Sequence, residues 1–187
     1  MRNSLLVLTM AAFLSGCTTV VNSVVKEPIM PDATSSPIGS DINDIKMDTF
    51  IGVNIKKADP ELRRAHVNVH VYNSVVLLTG EVPTKELRLL AGDTARAYTG
   101  QRKVHNELQV RGNSSIVART NDALISAKVA TKLTFDKEIK SSNIEVTAED
   151  SVVYLMGKVR EINGEKATAI ASQTSGVRSV VKVFEYV

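Results

Sequence analysis

The chain reads as an α+β protein of two tandem α-β-β-α-β domains, each a three-stranded mixed sheet with two helices on one face, and three observations carry that reading. First, HVNVHVYNSVVLLTGEV at 66–82 aligns without gaps on NIEVTAEDSVVYLMGKV at 143–159, an offset of 77, with Ser74/Ser151, Val75/Val152, Val76/Val153, Leu78/Leu155, Gly80/Gly157 and Val82/Val159 identical. Second, in both copies an alternating segment enters a polar pair, Tyr72-Asn73 or Glu149-Asp150, and a second apolar segment leaves it, the pattern of a β-hairpin. Third, each hairpin leads into a segment of helical spacing that stops at a glycine, Gly100 or Gly176, and a last apolar strand follows. Five elements in about 70 residues are enough to close one small core per copy.

At the N-terminus, Arg2 precedes an apolar run from Leu5 to Leu14. The run is too short to span a bilayer, which takes roughly 20 residues, and Leu14-Ser15-Gly16-Cys17 ends it with small residues before the only cysteine. This string resembles the bacterial lipobox. The resemblance implies that residues 1–16 are a removed signal peptide and that Cys17 becomes the first mature residue, carrying a diacylglyceryl thioether and an N-acyl group such as palmitate. Thr18 follows instead of the aspartate that marks inner-membrane retention, so the expected destination is the outer membrane. From Cys17 to Ser40 the chain holds three prolines, many Ser and Thr and no useful period, and it reads as a lipid-anchored flexible tether over 17–40.

The first domain is expected over 41–112 and the second over 115–187. Each opens with a helix, signalled by Asp48-Thr49-Phe50-Ile51 with Val53 and Ile55, and by Asp122-Ala123-Leu124-Ile125 with Val129 and Leu133. The hairpin follows. A glycine interrupts each outgoing strand, Gly80 or Gly157, which points to a helix backbone passing close or to a bulge. Thr84 is placed to cap the next helix, whose apolar face is read as Leu87, Leu90, Ala91, Ala95 and Tyr98. In the second copy the corresponding face is read as Ile162, Lys166, Ala169, Ile170 and Gln173. Last strands run from Val104 to Val110 and from Val177 to Val187, the offset having become 76 between Gly100 and Gly176.

Composition removes several functions. Loss of Arg2 with the signal leaves 22 Lys+Arg against 20 Asp+Glu, a balance that does not describe a protein coating nucleic acid. Aromatic residues make up 4% of the chain and Trp is absent, which argues against a base- or sugar-stacking groove. One acylated cysteine allows no disulfide, so buried apolar surface must hold the fold.

Asn121-Asp122, Lys128-Val129, Lys140-Ser141-Ser142-Asn143, Val153-Tyr154-Leu155-Met156-Gly157 and Ser175-Gly176-Val177, together with the repeat and the lipobox, resemble the BON domain and the dual-BON outer-membrane lipoproteins of Gram-negative bacteria. That resemblance implies a periplasm-facing, non-enzymatic protein that supports outer-membrane integrity. It also implies a second domain that binds anionic phospholipid and finds particular membrane, the division site included.

No catalytic constellation is present in the sequence. His66 and His70 fall on one strand about 13 Å apart at ~3.3 Å per residue, too far for a shared zinc ion, and His105 stands alone, so no metal or catalytic residue is expected. Asp59/Glu61, Asp136/Glu138 and Glu149/Asp150 read as caps and solubilising charge. The stretch from Arg119 to Phe135 is different. With Asp122 in the first turn, Ile125, Val129 and Leu133 share the core face, while Lys128 and Lys132 form a basic stripe flanked by Leu124 and ended by Phe135. The candidate phospholipid-binding set is therefore Leu124, Lys128, Lys132, Leu133 and Phe135, with Cys17 as the lipidation site. The expected partners are an anionic phospholipid membrane and no nucleic acid. An adaptor that binds an outer-membrane assembly or division protein stays open as the alternative.

Overall fold

The computed structural model describes residues 40–187, with side chains from Asp44 onward; the expected signal peptide, Cys17 and the expected tether up to residue 39 lie outside the described residues. Helix α1, Ser40–Ala58, buries Met47, Ile51 and Ile55 at helical spacing. A short helix α2, Pro60–Arg64, follows, with Asp59 as N-cap accepting from the Glu61 N–H at 2.6 Å and Pro60 at its start. The sequence reading did not anticipate α2, although it took Asp59 for a cap.

Strands β1, His66–Tyr72, and β2, Val75–Val82, form an antiparallel hairpin. Helix α3, Lys85–Ala97, is capped by Thr84 Oγ1, which accepts from the Leu87 N–H at 3.3 Å, and it buries Leu87, Ala91 and Ala95. Leu90 faces outward instead of joining that set. The chain returns parallel to β2 as β3, Lys103–Asn106, and β4, Gln109–Val110. The last strand is thus broken in the first copy. Leu108 turns into the core at the break, where Asn106 Oδ1 accepts its N–H at 3.3 Å. The sheet has four strands on that account, where three were expected.

The second copy repeats the plan with an unbroken last strand. Helix α4, Ile116–Phe135, leads through a short 3-10 turn, Ser141–Asn143, into β5, Ile144–Glu149, and β6, Val152–Val159. Helix α5, Glu161–Ser172, then crosses to β7, Ser179–Tyr186, parallel to β6. The face of α5 differs from the expected one: Gly164, Ala167 and Ala171 are buried, whereas Ile162 is 74% exposed.

Both hairpins turn one residue later than the polar pairs suggested. Asn73 and Ser74 have φ of 48° and 61°, Asp150 and Ser151 have 50° and 60°, and two successive positive values make a primed turn that matches strand twist. An aspartate from the opening helix holds each turn. Asp44 accepts the N–H groups of Asn73 and Ser74 at 2.5 and 2.9 Å, and Asp122 accepts those of Asp150 and Ser151 at 2.9 and 2.8 Å. The strand glycines also have a cause other than the expected helix or bulge. The ladder stays in register through both, and a Cβ at Gly80 or Gly157 would fall on the carbonyl oxygen of His66 or Asn143, on the neighbouring chain segment.

Each copy has its own core between sheet and helices, built in the first around Ile51, Ile55, Leu62, Val76 and Leu78 and in the second around Ile125, Val129, Leu133, Val153 and Leu155. A third apolar cluster lies between the two sheets: Val75 and Leu77 meet Tyr154, Met156 and Val183. The two domains therefore pack sheet on sheet, with helices on the outside of both. All eight residues of β2 are buried, which explains why the run Val75 to Leu78 is continuously apolar and does not alternate. Polar contacts edge this seam: Arg102 reaches Glu185 at 2.5 Å, Arg111 reaches Asp150 at 3.0 Å, and Asn68 Nδ2 donates to Glu149 at 3.0 Å.

Candidate functional site on helix α4

Helix α4 starts earlier than expected because Ser115 caps it, its hydroxyl accepting from the Ala118 N–H at 3.2 Å. Asp122 consequently stands in the second turn, buried, and is occupied with the β5–β6 turn. Ile125, Val129 and Leu133 follow it along the core face. Leu133 is 1% exposed, so it cannot touch a lipid; it belongs to the support beneath the surface, as its spacing from Val129 requires, and this corrects its place in the candidate set.

The other four described candidates do share one outward stripe. Leu124 is 56% exposed and Phe135 81%, with Lys128 and Lys132 exposed between them. Positions 124, 128, 131 or 132, and 135 lie one turn apart on a helix, so the four side chains line up. Neither lysine has an ion-pair partner among the described residues, because the one carboxylate inside α4, Asp122, is buried on the opposite side. Asp136, just past the helix, is occupied by Lys166 at 2.9 Å, and hydrogen bonding to Lys166 holds its carboxyl below the usual range. The stripe is consequently positive along its length. Ile116 and Val117, exposed at its beginning, extend its apolar content; the sequence reading began the helix too late to include them. At the other end, Thr131, Lys132 and Phe135 face Ile170 and Gln173 of the α5 side across an open groove of about 440 Å³.

The histidines are distributed as the strand reading implied, but their neighbours were not foreseen. His66 and His70 lie on the same face of β1. His66 Nδ1 stands 3.1 Å from Glu81 and 3.6 Å from Glu149, and His70 Nδ1 stands 3.5 Å from Glu145. Glu149 is therefore buried in the seam, contrary to the solubilising role expected of it. His105, on β3, is held below its usual pKa by burial and by Lys103. Sequence separation hid these meetings, since each brings together strands that pair or stack only in the folded chain.

The BON domain profile matches residues 54–112 and 121–187. The outer membrane lipoprotein DolP of Haemophilus influenzae is 30% identical over 176 residues, which cover 93% of this chain and 90% of that protein. The 21 kDa hemolysin of Actinobacillus pleuropneumoniae is 28% identical over 149 residues, covering 80% of this chain and 77% of the relative. The osmotically-inducible protein Y of Escherichia coli K12 is 24% identical over 152 residues, covering 80% and 75%.

Proposed function

Because the chain belongs to the BON-domain family, with one such domain in each half, we propose that it is a non-enzymatic, lipid-anchored protein of the outer membrane whose second domain docks on anionic phospholipid at the periplasmic face. The observation that carries this reading is the outward stripe of α4, in which Leu124, Lys128, Lys132 and Phe135 are exposed together and no exposed carboxylate interrupts them. Lysines at such a surface keep much of their hydration and contribute about 1 kcal/mol each near anionic headgroups, while a leucine and a phenylalanine enter the boundary beside them. Among the described residues no helix is long and apolar enough to cross a membrane, so attachment in this reading rests on the lipid at Cys17 and on α4. The relationship to an outer membrane lipoprotein over nearly the whole chain supports the same location. Maintenance of outer-membrane integrity, including at the division site, is the role this arrangement would serve.

Co-sedimentation with vesicles of rising anionic fraction tests the reading. Binding of the soluble domains should rise with that fraction and fall with salt. Lys128→Glu with Lys132→Glu should weaken it about thirtyfold or more, since roughly 2 kcal/mol of attraction is replaced by repulsion. Leu124→Asp should act in the same direction, and circular dichroism should show all variants folded. If the parent ignores anionic vesicles, an adaptor for an envelope protein becomes the better account.

A further inference from the structure

The seam between the sheets brings one imidazole and two carboxylates to a point, and none of them belongs to the α4 stripe. His66 opens β1, Glu81 lies opposite it on β2, and Glu149 ends β5 in the other domain. His66 Nδ1 is 3.1 Å from Glu81 Oε2 and 3.6 Å from Glu149 Oε1, and one donor atom from each residue lies within 4.8 Å of the other two. Donors around a tetrahedral ion with bonds of about 2.0–2.1 Å stand roughly 3.3 Å apart, a value that the two separations from His66 bracket, and an ion would draw the two carboxylates closer to each other. A hydrogen bond accounts for the shorter of the two separations; 3.6 Å is too long for one.

Charge points the same way. Glu81 is fully buried and Glu149 is 5% exposed. Glu81 has a fixed cation, since Arg111 donates to its Oε1 at 3.0 Å, and its Oε2 accepts the Ser114 N–H at 3.1 Å. Glu149 has His66 and otherwise a neutral donor, the Asn68 amide at 3.0 Å. A carboxylate so placed is stabilised by a cation. A second and separate observation lies beside it: Thr79, paired in register with Asn68 on the same sheet face, has a buried hydroxyl with no hydrogen-bond partner among the described residues.

We propose that His66, Glu81 and Glu149 form a divalent-cation site, suited to zinc, that clips the two domains together. Three protein ligands of this mixed nitrogen and oxygen type leave a fourth position for water, and such a water is the partner the Thr79 hydroxyl lacks. Arg111 and Ser114 hold the Glu81 carboxylate in place, as outer partners do around metal ligands. Binding requires the imidazole proton on Nε2. Asn68 stands 3.3 Å from that nitrogen, and its carbonyl oxygen accepts a hydrogen bond from Nε2–H once the amide turns over, while Glu149 exchanges the amide for the ion. Because both domains supply ligands, the ion favours the docked arrangement over the open one.

The mature chain, stripped with a chelator and titrated with zinc alone, is expected to bind one ion per molecule and to unfold at higher temperature with it. His66→Asn or Glu149→Gln should weaken binding at least about tenfold, and His70→Asn should leave it unchanged. Should those variants fail to fold, cobalt decides in the parent: paramagnetic broadening should fall on the His66 ring and spare His105. Absence of stoichiometric zinc binding by the parent overturns the site and leaves a proton-bonded cluster. Binding retained in both ligand variants, or cobalt broadening away from His66, equally overturns it by placing the ion elsewhere.

Discussion

Gly80 and Gly157 are equivalent residues with unequal burdens. Both lack a side chain because a carbonyl of the neighbouring segment occupies the space, but Gly80 alone of the two has a positive φ, 109°. Alanine at Gly157 should cost about 1–3 kcal/mol through overpacking, and alanine at Gly80 about 1 kcal/mol more through backbone strain. Denaturant unfolding of the two variants checks both the size and the order of the effects. The identity of these glycines was legible from the repeat, yet their reason was not, because the carbonyls they admit come from segments that the sequence places 14 residues away in each copy.

At the scale of elements, what could be read depended on whether an element had one buried face or two. Helices α1 and α4 bury large aliphatic side chains at i, i+4 spacing, so their core residues Ile51, Ile55, Ile125, Val129 and Leu133 were legible in the sequence. Helix α5 did not, because its contact face is made of Gly164, Ala167 and Ala171, and small residues give a weak periodic signal beside a large exposed Ile162. Ile162→Ser should therefore change stability by less than about 0.5 kcal/mol, while Ala171→Leu should cost about 1–3 kcal/mol. Thermal unfolding of the pair distinguishes the observed face from the one the sequence suggested. The exposed stripe of α4 was legible from the i, i+4 spacing of Leu124, Lys128 and Lys132, whereas the β2 and β6 faces turned toward each other were hidden by strands that are apolar on both sides.

For the whole molecule, two lowered carboxyls at the seam, Glu81 and Asp150, contribute to the response to acid. Burial raises the Glu81 carboxyl, but Ser114, Arg111 and His66 outweigh it and hold it below its ordinary value of 4.5; burial likewise opposes Arg178 and Arg111 at Asp150, which ends below 3.8. A lowered carboxyl contributes stability that is present above its ordinary pKa and is lost as pH falls through the folded value. Melting temperature should accordingly drop as pH falls below about 4.5, and Arg111→Ala should reduce that drop while lowering the plateau. Scans of melting temperature against pH for parent and variant give the comparison. Attachment, in the proposed reading, depends on Cys17. Cys17→Ala should leave the protein in the soluble periplasmic fraction or as an unprocessed precursor, measured by fractionation and acyl labelling.

The link between the domains ties orientation to docking. Asn113 accepts the His66 N–H at 3.2 Å and donates to the Arg64 carbonyl at 2.9 Å, so the connecting segment is stitched to the first domain while the sheets pack behind it. These contacts hold the two halves in one relative orientation in the structure. With α4 docked on a membrane as proposed, the remaining layers would stand off that surface at about 10 Å per layer. The α1 and α3 side of the first domain, with Leu89 exposed, then points away from the lipid. In that arrangement a partner on that side would meet it in a single pose and would have to be found along the plane of the membrane.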